Sequence, residues 1–309
     1  MSHLGRAIAL SVMAGEDPAD FRTKGAATKA QPGPYTKYLQ ADSLKGKRFG
    51  VPAFIMSAAA PQAFSPSAAP NTPNFGARSL ALRPETRALF MKALDELRAA
   101  GAAVVIEEDL LPESFARLAQ AVNTRGYRKE GMNRFLRDFG PPQYRSAEEY
   151  EKTTGSPLPG TVIGGAGGQK GAAPLAQREL ESDPDAETNF WAPQRAALAA
   201  YNGALDKYRL DGFVYPALQM PPNDETIPQP DGRPSSGPHS STGWVNKIGV
   251  PAVVAPCGFY ANGLPFGIEF SARQWADGSL LGWAFAYEQA TNHRQPPVLV
   301  DRPQPPEDK

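Results

Sequence analysis

A hydroxyl and an imidazole stand side by side in His239-Ser240-Ser241, inside GPHSSTGW. A histidine can activate a serine for attack on a carbonyl. Sequence neighbours, however, rarely orient their side chains for proton transfer to one another, so the cluster reads as a polar loop. Cys257 follows Pro256 at the end of an apolar run and reads as a small buried thiol, not a nucleophile. His293, near the end of a helical pattern, is expected to cap that helix or meet its dipole. Asp17 and Asp20 follow a helix stop and read as turn formers, not as a paired acid and base. The run TVIGGAGGQKGAAP offers backbone amides and Lys170 for an anion, but it has no GK[ST] ending and no strand before it, so it reads as a flexible loop. Neither a G-x-S-x-G elbow nor an S-x-x-K pair is present. The three histidines share no ligand spacing and the single cysteine excludes an intramolecular disulfide, so neither a metal nor a cofactor is expected.

The elements that would position chemistry are clearer. With 309 residues, 41% of them hydrophobic, the chain can bury a substantial core. Its 32 basic and 32 acidic residues balance, which argues against a nucleic-acid or anionic-membrane partner, and no apolar run is long enough to span a bilayer. The cysteine usage suits the cytoplasm. Leu4, Ile8 and Val12 recur at helical spacing and predict an amphipathic, core-facing helix ending at Gly15, entered with no cap, as if an upstream part were missing. GKRFGVPAF (46–54) and AAVVIEE (102–108) predict strands. Between them, Pro84 to Ala100 predicts a helix with Phe90, Leu94 and Leu97 on one face and Gly101 as its stop. Further helical stretches are expected between Pro112 and Phe139 and between Asp185 and Tyr208, and LDGFVYPAL predicts a buried strand ending at Pro216. Alternating helices and strands indicate an α/β layered domain. Residues 57–78 and 155–174 read as loop-like inserts.

The last third carries an ordered set of features: Thr242 and Asn246, then Gly249-Val250-Pro251-Ala252, Pro256-Cys257-Gly258, Gly263-Leu264-Pro265-Phe266-Gly267, and a helix with Leu280-Leu281, Ala284 and Glu288. Asn262-Gly263 can supply the positive φ of a tight hairpin. In this order, the features resemble the amidase-signature hydrolases. LSVMAGEDPAD, SLKGKRFGVP and LDGFVYPAL extend the resemblance over nearly the whole chain.

The resemblance implies a single domain over 1–309, an α/β fold with a mixed central sheet flanked by helices and incomplete at its N-terminal side. It also implies hydrolysis of a carboxamide C–N bond by a lysine, a serine in a cis peptide and a nucleophilic serine in a Gly/Ser-rich segment. No GGSSGGSA-like segment occurs in this chain, so no catalytic residue is assigned and the chain alone is expected to be inactive. By the same resemblance, Thr242, Trp244 and Asn246 approach the pocket for a small-molecule amide substrate of the full-length parent. Two other readings stay open. One is a non-catalytic α/β protein binding a small molecule or partner through an open sheet edge, a surface that could also pair as a homodimer. The other is the amidase subunit of a tRNA-dependent amidotransferase, whose companions would carry the nucleic acid.

Overall fold

A computed structural model describes residues 2–20, 23–56, 82–156, 158, 178–219, 221 and 243–296. The described strands are β1 (Arg48–Gly50), β2 (Ala103–Val105), β3 (Gly212–Pro216), β4 (Ala252–Phe259) and β5 (Pro265–Ser271), and they form one sheet in the order β2-β1-β3-β5-β4. β1 runs parallel to both β2 and β3, whereas β5 is antiparallel to β3 and β4. Parallel neighbours need a long crossover. Here α4 (Pro84–Ala99) lies between β1 and β2, while α5 (Glu113–Ala121), α6 (Arg128–Phe139), α7 (Ala147–Thr154) and α8 (Ala192–Tyr208) lie between β2 and β3. The antiparallel β4 and β5 need only a hairpin, and Gly263 turns it at φ +81°.

α4 follows its sequence signals closely. Pro84 stands in the first turn, Phe90, Leu94 and Leu97 are buried, and Gly101 takes φ +93° just after the helix end. Phe90, Leu94 and Leu97 lie four and three residues apart, which places them on one face. The expected strands appear where GKRFGVPAF, AAVVIEE and LDGFVYPAL predict them, and Gly140 caps α6. Gly155, in the left-handed region, ends α7. The 57–78 insert and all but a few residues of the 155–174 insert lie outside the described residues.

On one sheet face, Phe49 of β1 meets Phe270 and Trp283 edge-on at ring-centroid distances of 5.3 and 5.0 Å. Trp283 belongs to α10 (Asp277–Thr291), a helix buried nearly all round. Its Gly278 and Gly282 let Tyr38 sit against it, since a Cβ at Gly278 would fall 2.6 Å from the tyrosine ring. The opposite sheet face is covered by α8 and α9 (Gly243–Ile248), with α5 against them and Phe54 of α3 (Ala53–Met56) joining the same aromatic cluster.

The first helix, α1 (His3–Met13), corrects two expectations. Ser2 caps it, its hydroxyl accepting from the Gly5 amide. Its apolar stripe faces solvent: Leu4, Ile8 and Val12 are 50%, 51% and 82% exposed. The inner stripe is instead His3, Ala7 and Ser11, one residue earlier and so about 100° round the helix. His3 Nδ1 lies 2.6 Å from Glu288 of α10, and Ser11 Oγ accepts from the Tyr35 amide at 2.8 Å. Arg6 reaches the open edge of β4, donating to the Val254 carbonyl at 2.9 Å.

Candidate functional site

α9 carries two of the three predicted pocket residues and projects them in opposite directions; Thr242 lies outside the described residues. Trp244 is 4% exposed, boxed by Phe54, Phe115, Tyr201 and Tyr215 at centroid distances of 6.3, 5.5, 5.7 and 5.4 Å. Its indole N–H is buried without a hydrogen-bond partner among the described residues. Asn246, two residues on, is exposed. A helix advances about 100° per residue, so positions two apart lie on nearly opposite sides.

The helix itself is held firmly. The Lys247 ammonium donates to the Gln120 carbonyl at 3.1 Å, and Gln194 donates to the Lys247 carbonyl at 3.0 Å. Gly249, at φ +73°, stops the helix with its amide on the Val245 carbonyl, which is the physical task of the glycine in Gly249-Val250-Pro251-Ala252.

Beneath Trp244 lies a polar network that the sequence reading missed. Tyr215 and Glu269 are register partners across β3 and β5, and the tyrosine hydroxyl donates to the carboxylate at 2.7 Å. Two residues along β5, Ser271 Oγ lies 3.1 Å from Tyr201 Oη. Glu269 is 2% exposed. Its burial pushes the carboxyl up to about 7, although the tyrosine bond pulls the other way. Desolvation likewise raises the Tyr215 phenol well above its ordinary value. The available signal was a single acid inside the apolar strand PFGIEFS.

Three of the described serines are engaged structurally: Ser11 donates to the Ala7 carbonyl, Ser279 bonds Gln31, and Ser271 pairs with Tyr201. Asp17 accepts from the Ala19 amide at 2.9 Å, as a turn former does, and the Asp20 carbonyl accepts from the Thr23 amide. His239, Ser240, Ser241 and Lys170 lie outside the described residues. Cys257 is a buried thiol as expected. His293 is not a cap: Asn292 ends α10 in the left-handed region, and the imidazole crosses to Glu96 of α4, with Nε2 at 2.9 and 3.0 Å from its oxygens. Two shallow cavities of about 200 and 340 Å³ lie between α5 and α8 and beside the N-terminal end of α1; neither is lined by Trp244 or Asn246.

The fold recurs in solved structures. The peptide amidase of Stenotrophomonas maltophilia matches with a TM-score of 0.58 at 24% identity, over 96% of this chain and 53% of that one. A bacterial aryl acylamidase of the amidase signature family matches at 0.55 and 20% identity, over 94% and 51%. The chain has the amidase-signature fold. Relatives in sequence are glutamyl-tRNA(Gln) amidotransferase A subunits. The one from Thermodesulfovibrio yellowstonii is 43% identical over 56 residues, 18% of this chain and 12% of its own length. The one from Halothermothrix orenii is 25% identical over 314 residues, covering 93% of this chain and 53% of the relative. No protein-family model matches the chain. It spans about half the length of the amidase-signature structures it resembles. Among the described residues, no helix is long and apolar enough to cross a membrane.

Proposed function

We propose that this chain is the carboxy-terminal part of a cytoplasmic amidase that hydrolyses the C–N bond of a small carboxamide. The observation that supports this most is the extent of the shared fold: nearly the whole chain superposes on about half of a peptide amidase. The nucleophilic serine, the cis-peptide serine and the lysine would lie in a segment with no counterpart among these 309 residues. That segment would form the acyl-enzyme and release the amine, and water would then free the acid. α9 would flank the pocket, with Asn246 and Thr242 available to a substrate and Trp244 fixing the helix beneath them.

The test is to assay the purified full chain on a panel of peptide, aryl and alkyl amides, following ammonia or amine release. No turnover is expected. Turnover that survives rigorous purification and disappears on substituting a residue of this chain would overturn the reading. Sequencing upstream of the Met1 codon tests the other half, because an in-frame lysine and Gly/Ser-rich nucleophile segment would supply the missing machinery.

A second reading, the amidase subunit of a tRNA-dependent amidotransferase, is favoured by the local 43% identity to such subunits. Co-purification with companion subunits and tRNA-dependent amide transfer would separate it from a stand-alone amidase. In either case the balance of 32 basic and 32 acidic residues gives the chain no net positive charge to draw it to nucleic acid.

A further inference from the structure

Away from α9, three ligand-type side chains converge from three elements. Glu96 lies near the C-terminal end of α4, Cys257 on β4 and His293 just beyond α10. A carboxylate oxygen, the thiol sulfur and a ring nitrogen from these residues all lie within 4.8 Å of one another. Cys257 is 3% exposed, while the His293 and Glu96 side chains keep only 17% and 20% of their surface. The Tyr287 hydroxyl sits among them, 2.9 Å from Cys257 Sγ and 2.5 Å from Glu96 Oε2. Lys92 closes the rim, 3.6 Å from the other Glu96 oxygen.

We propose that Glu96, Cys257 and His293 bind one divalent ion of the zinc class. The donor set selects the ion: one sulfur, one imidazole nitrogen and one carboxylate oxygen suit a borderline cation in tetrahedral coordination, whereas calcium and magnesium need shells of six or more oxygens. Charge supports the same assignment. A thiolate and a carboxylate together neutralise a divalent ion, so the occupied site buries no net charge from these three groups. Bonds of about 2.0 to 2.3 Å in a tetrahedron place ligand atoms roughly 3.3 to 3.8 Å apart, so the cluster has to contract by about an ångström.

That contraction is local. His293 follows the turn at Asn292, and its ring Nδ1 faces Gly258, where a Cβ would stand 3.9 Å away in ordinary contact. Glu96 is a long side chain at the end of its helix. On binding, Cys257 gives up its thiol proton to solvent and the Tyr287 hydroxyl, or a water, completes the fourth position. The ion would tie α4 and the segment after α10 to β4, a structural clasp independent of amide hydrolysis.

The experiment uses the full chain after chelator treatment. Cobalt(II) should add one equivalent with a thiolate-to-cobalt charge-transfer band and tetrahedral visible absorption, and zinc should displace it and raise the melting temperature. Cys257→Ser should abolish the band. His293→Gln, a change near the surface, should weaken zinc at least ten-fold by calorimetry while leaving the far-ultraviolet circular dichroism unchanged. If Cys257→Ser fails to fold, His293→Gln decides. Absence of the charge-transfer band in the unaltered chain, or zinc affinity unchanged in His293→Gln, overturns the proposal and leaves a hydrogen-bonded structural network.

Discussion

The Tyr215 hydroxyl donates a 2.7 Å hydrogen bond to Glu269 Oε1 from the residue directly opposite it in the antiparallel β3 and β5 ladder. Both side chains are buried, and desolvation raises the carboxyl from 4.5 to about 7. Between those values the folded chain holds a proton that the unfolded chain has lost, so stability falls as pH rises. The contribution is fully present below about pH 4.5 and is lost by about pH 7; a shift of this size corresponds to ~3 kcal/mol at most. Urea unfolding at pH 5 and pH 8 should show a larger loss for the wild-type chain than for Glu269→Gln. Burial of His3 lowers its ring pKa and gives a slope of the opposite sign, but it is common to both chains and cancels in the difference. Equal losses would mean that Glu269 holds no proton at neutral pH.

Trp244 and Asn246 should separate packing from recognition. Trp244→Ala empties the aromatic box and should cost about 3 to 5 kcal/mol in urea unfolding. Trp244→Phe also removes the unpartnered indole N–H, whose burial costs about 1 to 3 kcal/mol, so its net loss should be much smaller. Asn246→Ala should change stability by no more than about 0.5 kcal/mol. Its effect in an assembled amidase should fall on KM, which steady-state kinetics would read.

Gly212 has no room for a side chain. An added Cβ would lie 2.4 Å from the Ser271 carbonyl oxygen and 2.9 Å from the Trp283 ring. Gly212→Ala should therefore pry β3 from β5 and lower stability by about 2 kcal/mol or more, seen as a lower urea midpoint. A midpoint within error of wild type would show that the strands separate freely there.

The exposed stripe of α1 makes an opposite prediction. Replacing Ile8 with Gln and Val12 with Lys should leave unfolding stability within about 0.5 kcal/mol, because neither side chain is covered. The same change should reduce self-association measured by light scattering during gel filtration. A stability loss of several kcal/mol would place the stripe in a core.

Much of this fold was legible because its signals are local. Pro84 and Gly101 delimit α4, Gly263 turns the final hairpin, β1 and β3 are short runs closed by Pro52 and Pro216, and β2 is an apolar run entered from Gly101. The facing of α1 was not legible. Periodicity of Leu4, Ile8 and Val12 establishes an amphipathic helix but not which neighbour covers it, and α10 selects the adjacent stripe through His3 and Ala7. Glu269 was missed for a related reason: its partner Tyr215 stands 54 residues earlier, and nothing in PFGIEFS alone tells a buried acid from a solvent-facing one. His293 looked like a cap because its partner, Glu96, is 197 residues away.

The contact between His3 and Glu288 joins residues 285 apart in the chain. At ribosomal speeds of ~5 to 20 residues per second, α1 therefore waits roughly 15 to 60 seconds before the helix it docks on has been made. Throughout that interval both of its faces are uncovered, the one that α10 will take and the one that stays open afterwards. Closure of α1 onto the domain thus waits for α10 to emerge, and a chaperone that grips apolar helices could meet α1 before its partner helix exists.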